Sequence, residues 1–323
     1  MSSALDARVA VESWSDNPSA FLALNPGNEL FAMPDRRGVV VYRTAGRHLV
    51  QLGGPFAPAE DYEELLRRFR EHAAASRRHV VAIQLQRPDA LVYARNGFTV
   101  NQVGSSYAVD LARFTLRGSK FMRLRNKISR ATRSGVTVAE ENPAEAGAVL
   151  DAIDREWLRA KGRHVKPLRF LVGERESAGG RLFVAHGPDG RLGYITYSPV
   201  HGSRPGWMHD LSRRRAQVPP GVMEAVNAHA IEVFTAEGAA WLHFGFTPFA
   251  GLDRNHAIEG GSPFVDRLIR FLAEHGEAVY AARTQSSYKL KWGPHAVTPE
   301  YVAFSGRPRL SSVWRLLRVT NAV

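Results

Sequence analysis

The chain of 323 residues contains no cysteine. That excludes disulfides, thiolate metal sites and a cysteine nucleophile, and it fits a cytoplasmic protein. No apolar run approaches the ~18 residues that read as a membrane span. The N-terminus, MSSALDARVAVESWSD, has no basic stretch followed by an apolar core, so no secretory signal is expected. HExxH, a tight His/Asp cluster and a G-x-S-x-G elbow are missing as well, so neither a metal centre nor a serine nucleophile is expected. Acid is missing over one long stretch. From Leu111 to Ala139 there is no Asp or Glu, against Arg113, Arg117, Lys120, Arg123, Arg125, Lys127, Arg130 and Arg133.

What is present is an ordinary globular composition, 44% hydrophobic and 23% charged, long enough for one large or two ordinary domains. The net charge of +12 is not ordinary. Such a chain concentrates polyanions: nucleic acid, anionic lipid or phosphorylated ligands. Within the acid-free stretch, Phe121, Leu124, Ile128 and Ala131 recur at spacings of three and four, the apolar face of a helix. Lys120, Arg123, Lys127 and Arg130 recur at the same spacings and form a second stripe. Gly118 precedes this helix and Gly135 ends it. Like charges so placed cost tenths of a kcal/mol per pair, a cost that a bound polyanion would remove. A solvated face and a membrane-surface helix are the competing readings.

Two halves repeat one order of elements. GVVVYRTAGRHLVQLGG reads as a hairpin around Ala45-Gly46, followed by a helix with Leu65, Leu66 and Phe69 inside and a buried strand, HVVAIQLQ. YARNGFTV and SSYAVDL finish that half. RLFVAHGPDGRLGYITYSPV reads as a second hairpin, with its turn at Asp189-Gly190. Then come the strand RPGWMHDLS, a helix with Val222, Val226, Ile231 and Phe234 inside, and the strand AAWLHFGFTP. The expected fold class is α/β, with mixed sheets flanked by helices and two domains, 1–140 and 141–323. A helix from Pro143 to about Ala160 opens the second, which is expected to carry the active site.

Strand, Gly/Pro turn, helix, strand is the central unit of the acetyltransferase-like (GNAT) fold. There the turn and helix N-terminus hold the pyrophosphate of acyl-CoA. Here the spacing fails. Gln217 is followed by three residues, then Gly221, Val222 and Met223, and Pro219 and Pro220 remove two N–H donors. No cofactor is therefore expected at this turn.

Five pieces in order resemble the C-terminal catalytic domain of lysylphosphatidylglycerol synthases and their soluble relatives: FTLRGSKFMRLRNKISRATRSG, EWLRAK, HDLSRRRAQVPPGVMEAV, LHFGFTPFAGL and YKLKWGPHAVTPEYVAF. The resemblance runs from about Ser19 to Phe304. It implies a tandem acetyltransferase-like (dual GNAT) fold. It also implies an aminoacyltransferase that uses charged tRNA as co-substrate and moves an amino acid from the tRNA 3′ end to an acceptor. The acceptor is phosphatidylglycerol in the best-known members and a small molecule on a natural-product pathway in some free-standing relatives. No membrane-spanning flippase region precedes the domain here, which counts against a lipid acceptor. The basic, apolar C-terminal VWRLLRV offers a peripheral membrane contact or simply a terminal helix. The family's Leu-Gly-Met-Ala-Pro-Leu is here Phe244, Gly245, Phe246, Thr247, Pro248 and Phe249. Its Phe-Lys-x-Lys-Phe is Tyr288, Lys289, Leu290, Lys291 and Trp292. The bulkier Phe246 points to a reshaped acceptor pocket.

Transfer from an activated ester needs a held 3′ end, an acceptor that can lose its proton, and a stabilised oxyanion. Lys289 and Lys291 are carried over from the family motif as contacts for the aminoacylated end; from spacing alone they equally read as surface lysines on a strand. Asp210, at the end of the strand before the turn, is either an acceptor-orienting base or a partner of Arg213 or Arg214. Glu224 lies in the first turn of a helix, where a carboxylate is favoured by the dipole. Arg213, Arg214, Gly221 and Gly245 are expected to bind substrate or tRNA, with Lys120, Arg123, Lys127 and Arg130 adding phosphate contacts. Two other classes remain open: an acyl-CoA-dependent N-acyltransferase, and a non-catalytic RNA- or lipid-surface-binding module. No protein partner is inferable.

Overall fold

The computed structural model describes residues 4–161, 169–175, 179–275 and 282–320. The chain opens with α1 (Ala4–Trp14), a 3-10 turn (Ala20–Leu24), β1 (Glu29–Phe31), β2 (Val40–Ala45), β3 (His48–Leu52) and α2 (Ala59–Ala75). It continues through β4 (His79–Leu85), α3 (Arg87–Arg95), β5 (Phe98–Asp110), α4 (Met122–Arg133), β6 (Thr137–Glu141) and α5 (Pro143–Lys161). The second half holds β7 (Arg181–Gly187), β8 (Gly190–Val200), β9 (Gly206–Arg214), α6 (Val222–Ala236) and β10 (Trp241–Pro248). It ends with α7 (Pro263–His275), α8 (Ala282–Leu290), β11 (Ala296–Ser305) and α9 (Leu310–Val319).

Both expected hairpins form, β2–β3 and β7–β8. Each half then makes one parallel pair across a helix: β3 with β4 across α2, and β9 with β10 across α6. The helices bury the residues that their periodicity assigned: Leu65, Leu66 and Phe69 on α2, and Val222, Val226, Ile231 and Phe234 on α6. The acetyltransferase-like unit thus occurs twice in an α/β fold. The two sheets are not separate, however. The strands form one mixed sheet in the order β1-β2-β3-β4-β11-β5-β10-β9-β8-β7-β6.

Residue 140 falls inside β6, and the sheet crosses that point in both directions. β5 of the first half pairs with β10 of the second. β11, near the end of the chain, inserts between β4 and β5. Each half completes the sheet of the other, so neither leaves a bare inner edge. The segments read as two pieces, YARNGFTV and SSYAVDL, are the end of α3 and one long strand, β5.

The basic stretch folds as its spacing requires. Leu124 and Ala131 are buried, and Phe121 and Ile128 pack partly against the core beside α6. Gly135 takes φ +79° just past the end of α4, a conformation that glycine adopts without steric cost. A 3-10 turn over Ser119–Phe121 places Lys120 just ahead of the helix.

Apolar side chains cover both sheet faces. In the second half α4 and α6 lie over Phe183, Ile195, Tyr197 and Phe244, while Leu150 and Ile153 of α5 lie over Leu182, Val184 and Tyr194 on the other face. Residues 169–175 continue from the α5 face to the face of the first half covered by α1 and α9.

Gly206 opens β9 where it meets β10. A Cβ there would lie 2.0 Å from the carbonyl oxygen of Trp241, at φ +155°. Gly206→Ala must push the two strands apart. It is expected to lower the unfolding free energy by about 2–3 kcal/mol, read as a lower urea midpoint at unchanged slope.

Candidate active site

β9 and β10 stay paired for only three residues, Gly206–Met208 against Trp241–His243. Beyond that point they part. A cleft of about 2060 Å³ lies there, lined from both halves of the chain. One stretch is polar, with Asp210, Arg213, Glu224 and Lys291. The other is apolar, with Leu268, Leu272, Phe304, Leu316 and Leu317.

The parting is built into β10. Its register against β5 shifts between His243 and Gly245, and Gly245 takes φ +66°. This bulge turns two carbonyls out of the ladder. Lys289, at the end of α8, donates from Nζ to Gly245 O and to Phe246 O, both at 2.9 Å. Lys289 is 7% exposed, and burial pushes its ammonium down to about 7. Behind it sits Glu300 of β11, which accepts from Ser106 and is pushed up to about 8 by burial. Lys289 therefore lies on a helix and Lys291 in the turn just after it, rather than both on a strand with alternating surface side chains. Lys289 and Gly245 meet, and Lys289 fixes the shape of the cleft wall.

On the α4–α6 face, Glu224 sits in the first turn of α6 and accepts from Lys291 Nζ at 2.7 Å and from Lys127 Nζ at 3.2 Å. Burial alone would raise this carboxyl. Lys291, and then Lys127, outweigh it and hold Glu224 below the ordinary glutamate range. Two ammonium groups share one carboxylate, so the trio carries a net positive charge. Lys291 also lies 3.8 Å from the centre of the Tyr288 ring. Gly221 sits just beneath α4: a Cβ at φ +94° would come 2.0 Å from Lys127 O. The backbone of α4 thus packs against Gly221 on one side, while residues 218–223 of the turn line the cleft on the other.

Asp210 lies on the opposite face. Across β8 and β9, Ile195 faces Ser212 and Tyr197 faces His209, so Asp210 and Leu211 share the single position opposite Thr196. A bulge of this kind re-aims side chains and is frequent beside active sites. Asp210 is inside β9, not at its end. It accepts from Gly173 N–H at 2.8 Å and from the Ser198 hydroxyl at 2.9 Å. Burial outweighs these donors and pushes the carboxyl up to about 6. Only a glycine fits at 173, where a Cβ would lie 1.6 Å from Asp210 Oδ2.

The arginines after Asp210 are tied to α5 or to the local backbone. Arg213 lies 4.0 Å from the centre of the Trp157 ring and 4.0 Å from Asp154. Arg214 donates to the carbonyls of Arg215 and Ala216. Arg215 pairs with Glu156 at 2.9 Å. Both Arg213 and Arg214 line the cleft. On α4, Lys127 faces Glu224, while Arg123 and Arg130 are exposed and form no ion pair among the described residues. Lys120 lies over Phe121, at 5.3 Å.

His209 escaped the sequence reading. Its Nδ1 is 3.1 Å from Asn227 Oδ1, which also accepts from Tyr197 at 2.7 Å. Burial pushes the imidazole down to about 4, so the ring is neutral. It packs between Phe244 and Tyr288 and lines the cleft. The one signal for it was a histidine directly before Asp210 in the strand RPGWMHDLS.

Between about pH 4 and pH 6 the folded chain keeps a proton on Asp210 that the unfolded chain has released. The Asp210 contribution to stability must fall as pH rises across that window, by about 3 kcal/mol at most, while His209 and His243, pushed down to about 4 by burial, contribute in the opposite direction. Asp210→Asn should therefore gain stability relative to wild type between pH 4 and pH 7; denaturation curves at both pH values for both proteins check it.

Comparison with known proteins places the chain in a family. The family described as "Phosphatidylglycerol lysyltransferase, C-terminal" matches residues 8–304. A phosphatidylglycerol lysyltransferase of Bacillus subtilis (strain 168) is 25% identical over 222 residues, 68% of this chain and 26% of that protein. The chain thus spans between about a quarter and just over a third of the length of the curated relatives that it matches. Among solved structures, L-PGS from Bacillus licheniformis superposes with a TM-score of 0.80 at 21% identity, covering 99% of this chain and 97% of that one. The C-terminal domain of a putative lysylphosphatidylglycerol synthetase from Agrobacterium fabrum gives 0.79 at 21% identity, with 99% and 98% covered. These two share the fold. The match over nearly the whole chain shows that it belongs to the family of phosphatidylglycerol lysyltransferase C-terminal domains.

Proposed function

We propose that the chain transfers an aminoacyl group from the 3′ end of a charged tRNA to a glycerol hydroxyl of phosphatidylglycerol or a closely similar anionic lipid. The observation that carries this reading is a single cleft with two unlike approaches. On one face of the sheet stands the cationic α4 with Lys127, Lys291 and Glu224. On the other stands Asp210, and the cleft continues along the apolar sides of α7 and α9. A polyanion suits the first approach and an acyl chain the second. The apolar lining favours a lipid over a small polar acceptor. The names of the relatives, phosphatidylglycerol lysyltransferases, support the same acceptor.

In this reading the Asp210 carboxylate takes the proton of the acceptor hydroxyl as that oxygen attacks the ester carbonyl. The bond from the carbonyl carbon to the ribose oxygen breaks, and the ribose hydroxyl leaves with the proton. A carboxyl titrating near 6 is mostly ionised at neutral pH and is a stronger base than an ordinary aspartate. The Gly173 and Ser198 donors hold it in one orientation. The net positive charge around Glu224 faces the terminal phosphate. Arg123, Arg130 and Lys120 add contacts that are indifferent to sequence. At the turn Pro219–Gly221 the two prolines leave fewer N–H donors than a coenzyme pyrophosphate would use.

Incubation with a pool of radiolabelled charged tRNAs and phosphatidylglycerol in detergent should move label into the organic phase. Asp210→Asn should slow transfer by about 10²- to 10⁴-fold, and the wild-type rate should climb as pH rises through about 6. Label that stays on tRNA with every acceptor would end the proposal. Separately, replacing Lys120, Arg123 and Arg130 together with Gln should reduce the salt dependence of tRNA binding by about 2–3 log units per log unit of salt. An unchanged slope would remove α4 from the tRNA surface.

A further inference from the structure

The first half has its own parallel pair and its own parting point. β3 and β4 pair from His48–His79 to Leu52–Ile83. The next residue of β4 is Gln84, and there the register against β11 shifts. Gln84 takes φ +57°. This is the counterpart of Gly245, which sits at φ +66° just after the last β9–β10 pair. The chemistry differs at the two places. At Gly245 the backbone is relaxed and a separate side chain, Lys289, fills the bulge. At Gln84 a non-glycine residue is held in the left-handed region, where glycine or asparagine is the usual occupant. Strain of this kind persists where the side chain itself is needed.

The side chain of Gln84 is the second observation. The residue is 2% exposed, and its Oε1 is buried with no hydrogen-bond partner. Buried amide oxygens are paired in most folded proteins, so an unpaired one calls for a donor. Gln84 lines the same cleft, beside Ile83, Val103, Leu22 and Ser19. A short chain of contacts leads from it to the reacting end. Gln84 O accepts from Asn17 Nδ2 at 2.6 Å, and Asn17 Oδ1 accepts from Ser19 N–H at 2.8 Å. Among the described residues the Ser19 hydroxyl meets only the Met208 sulfur, at 3.8 Å, and Met208 stands two residues before Asp210. Gln84 and Ser19 are therefore polar groups set in an apolar wall, next to the strand that presents Asp210.

We propose that Gln84 is a specificity-determining residue whose side-chain amide accepts a hydrogen bond from the second, non-reacting hydroxyl of the acceptor headgroup. The inference rests on the lipid-acceptor reading above and names how that acceptor is told from lipids with a single hydroxyl. A site built to pair with a hydroxyl rejects the analogue that lacks it, because the protein atom is then left buried and unpaired.

The test separates recognition from transfer. Short-chain phosphatidylglycerol and its deoxy analogue, a phosphatidyl-1,3-propanediol of the same chains, are titrated into the protein by calorimetry without tRNA. Wild type should bind the glycerol lipid at least ten-fold more tightly. Gln84→Gly relieves the left-handed strain, and Gln84→Leu keeps most of the volume. Both should bind the two lipids within two- to three-fold of each other, with affinity for the propanediol lipid near the wild-type value. A wild type that does not discriminate overturns the proposal. So does a folded variant, by its thermal midpoint, that keeps the wild-type ratio. Discrimination lost in both variants upholds it even if no label ever moves from tRNA, a result that would instead defeat the transfer reading.

Discussion

The structure depends on one interruption: two parallel strands that stop pairing after three residues. Parallel strands joined by a helix would ordinarily run on together and bury their edges. Here the bulge at Gly245 bends β10 away, and the Lys289 ammonium takes up the carbonyls that the bend exposes. Holding a lysine in the interior is costly, as its lowered pKa records. The cost is tolerated because the alternative is two buried carbonyls with no donor. Glu300 lies behind the lysine on β11, the strand that crosses from the end of the chain into the first half. The cleft and the exchange of strands between halves are therefore one construction.

The second constraint is how charge is distributed around that opening. Glu224 would be an isolated buried acid without Lys291 and Lys127, and the two lysines would repel each other without Glu224. Together they leave one positive charge at the foot of a helix that carries further cations outward. Asp210 is treated in the opposite way. Burial outweighs its two neutral donors and the smaller influence of Arg213, so its proton is held more tightly. The two faces of the sheet thus present a positive surface on one side and a basic carboxylate on the other, with the parted strands between them.

Much of this was legible in the sequence. The hairpins, the inner faces of α2 and α6, and the two stripes of α4 follow from local periodicity, and local periodicity decided them. Gly221 marks the start of α6 in the sequence, although the carbonyl packed against it, Lys127 O, is far away in sequence. What was not legible is non-local. No local signal marks β11 as belonging between β4 and β5. The bulge that aims Asp210 depends on the register between β8 and β9. Lys289 and Lys291 are two residues apart in the motif, yet one points into the sheet at backbone carbonyls and the other at Glu224. No local signal brings Trp157 and Asp154 beside Arg213. Gln84 reads as one more polar residue in a strand; only its backbone dihedral and its unpaired oxygen single it out.

The central claim is that two substrates reach one opening from opposite faces. The direct test is competition at equilibrium between a stable amide analogue of 3′-lysyl-adenosine and short-chain phosphatidylglycerol. Saturating lipid should leave the affinity for the adenosine analogue unchanged or tightened, and Lys291→Ala should lose the analogue while retaining the lipid. Mutual exclusion of the two ligands would contradict it.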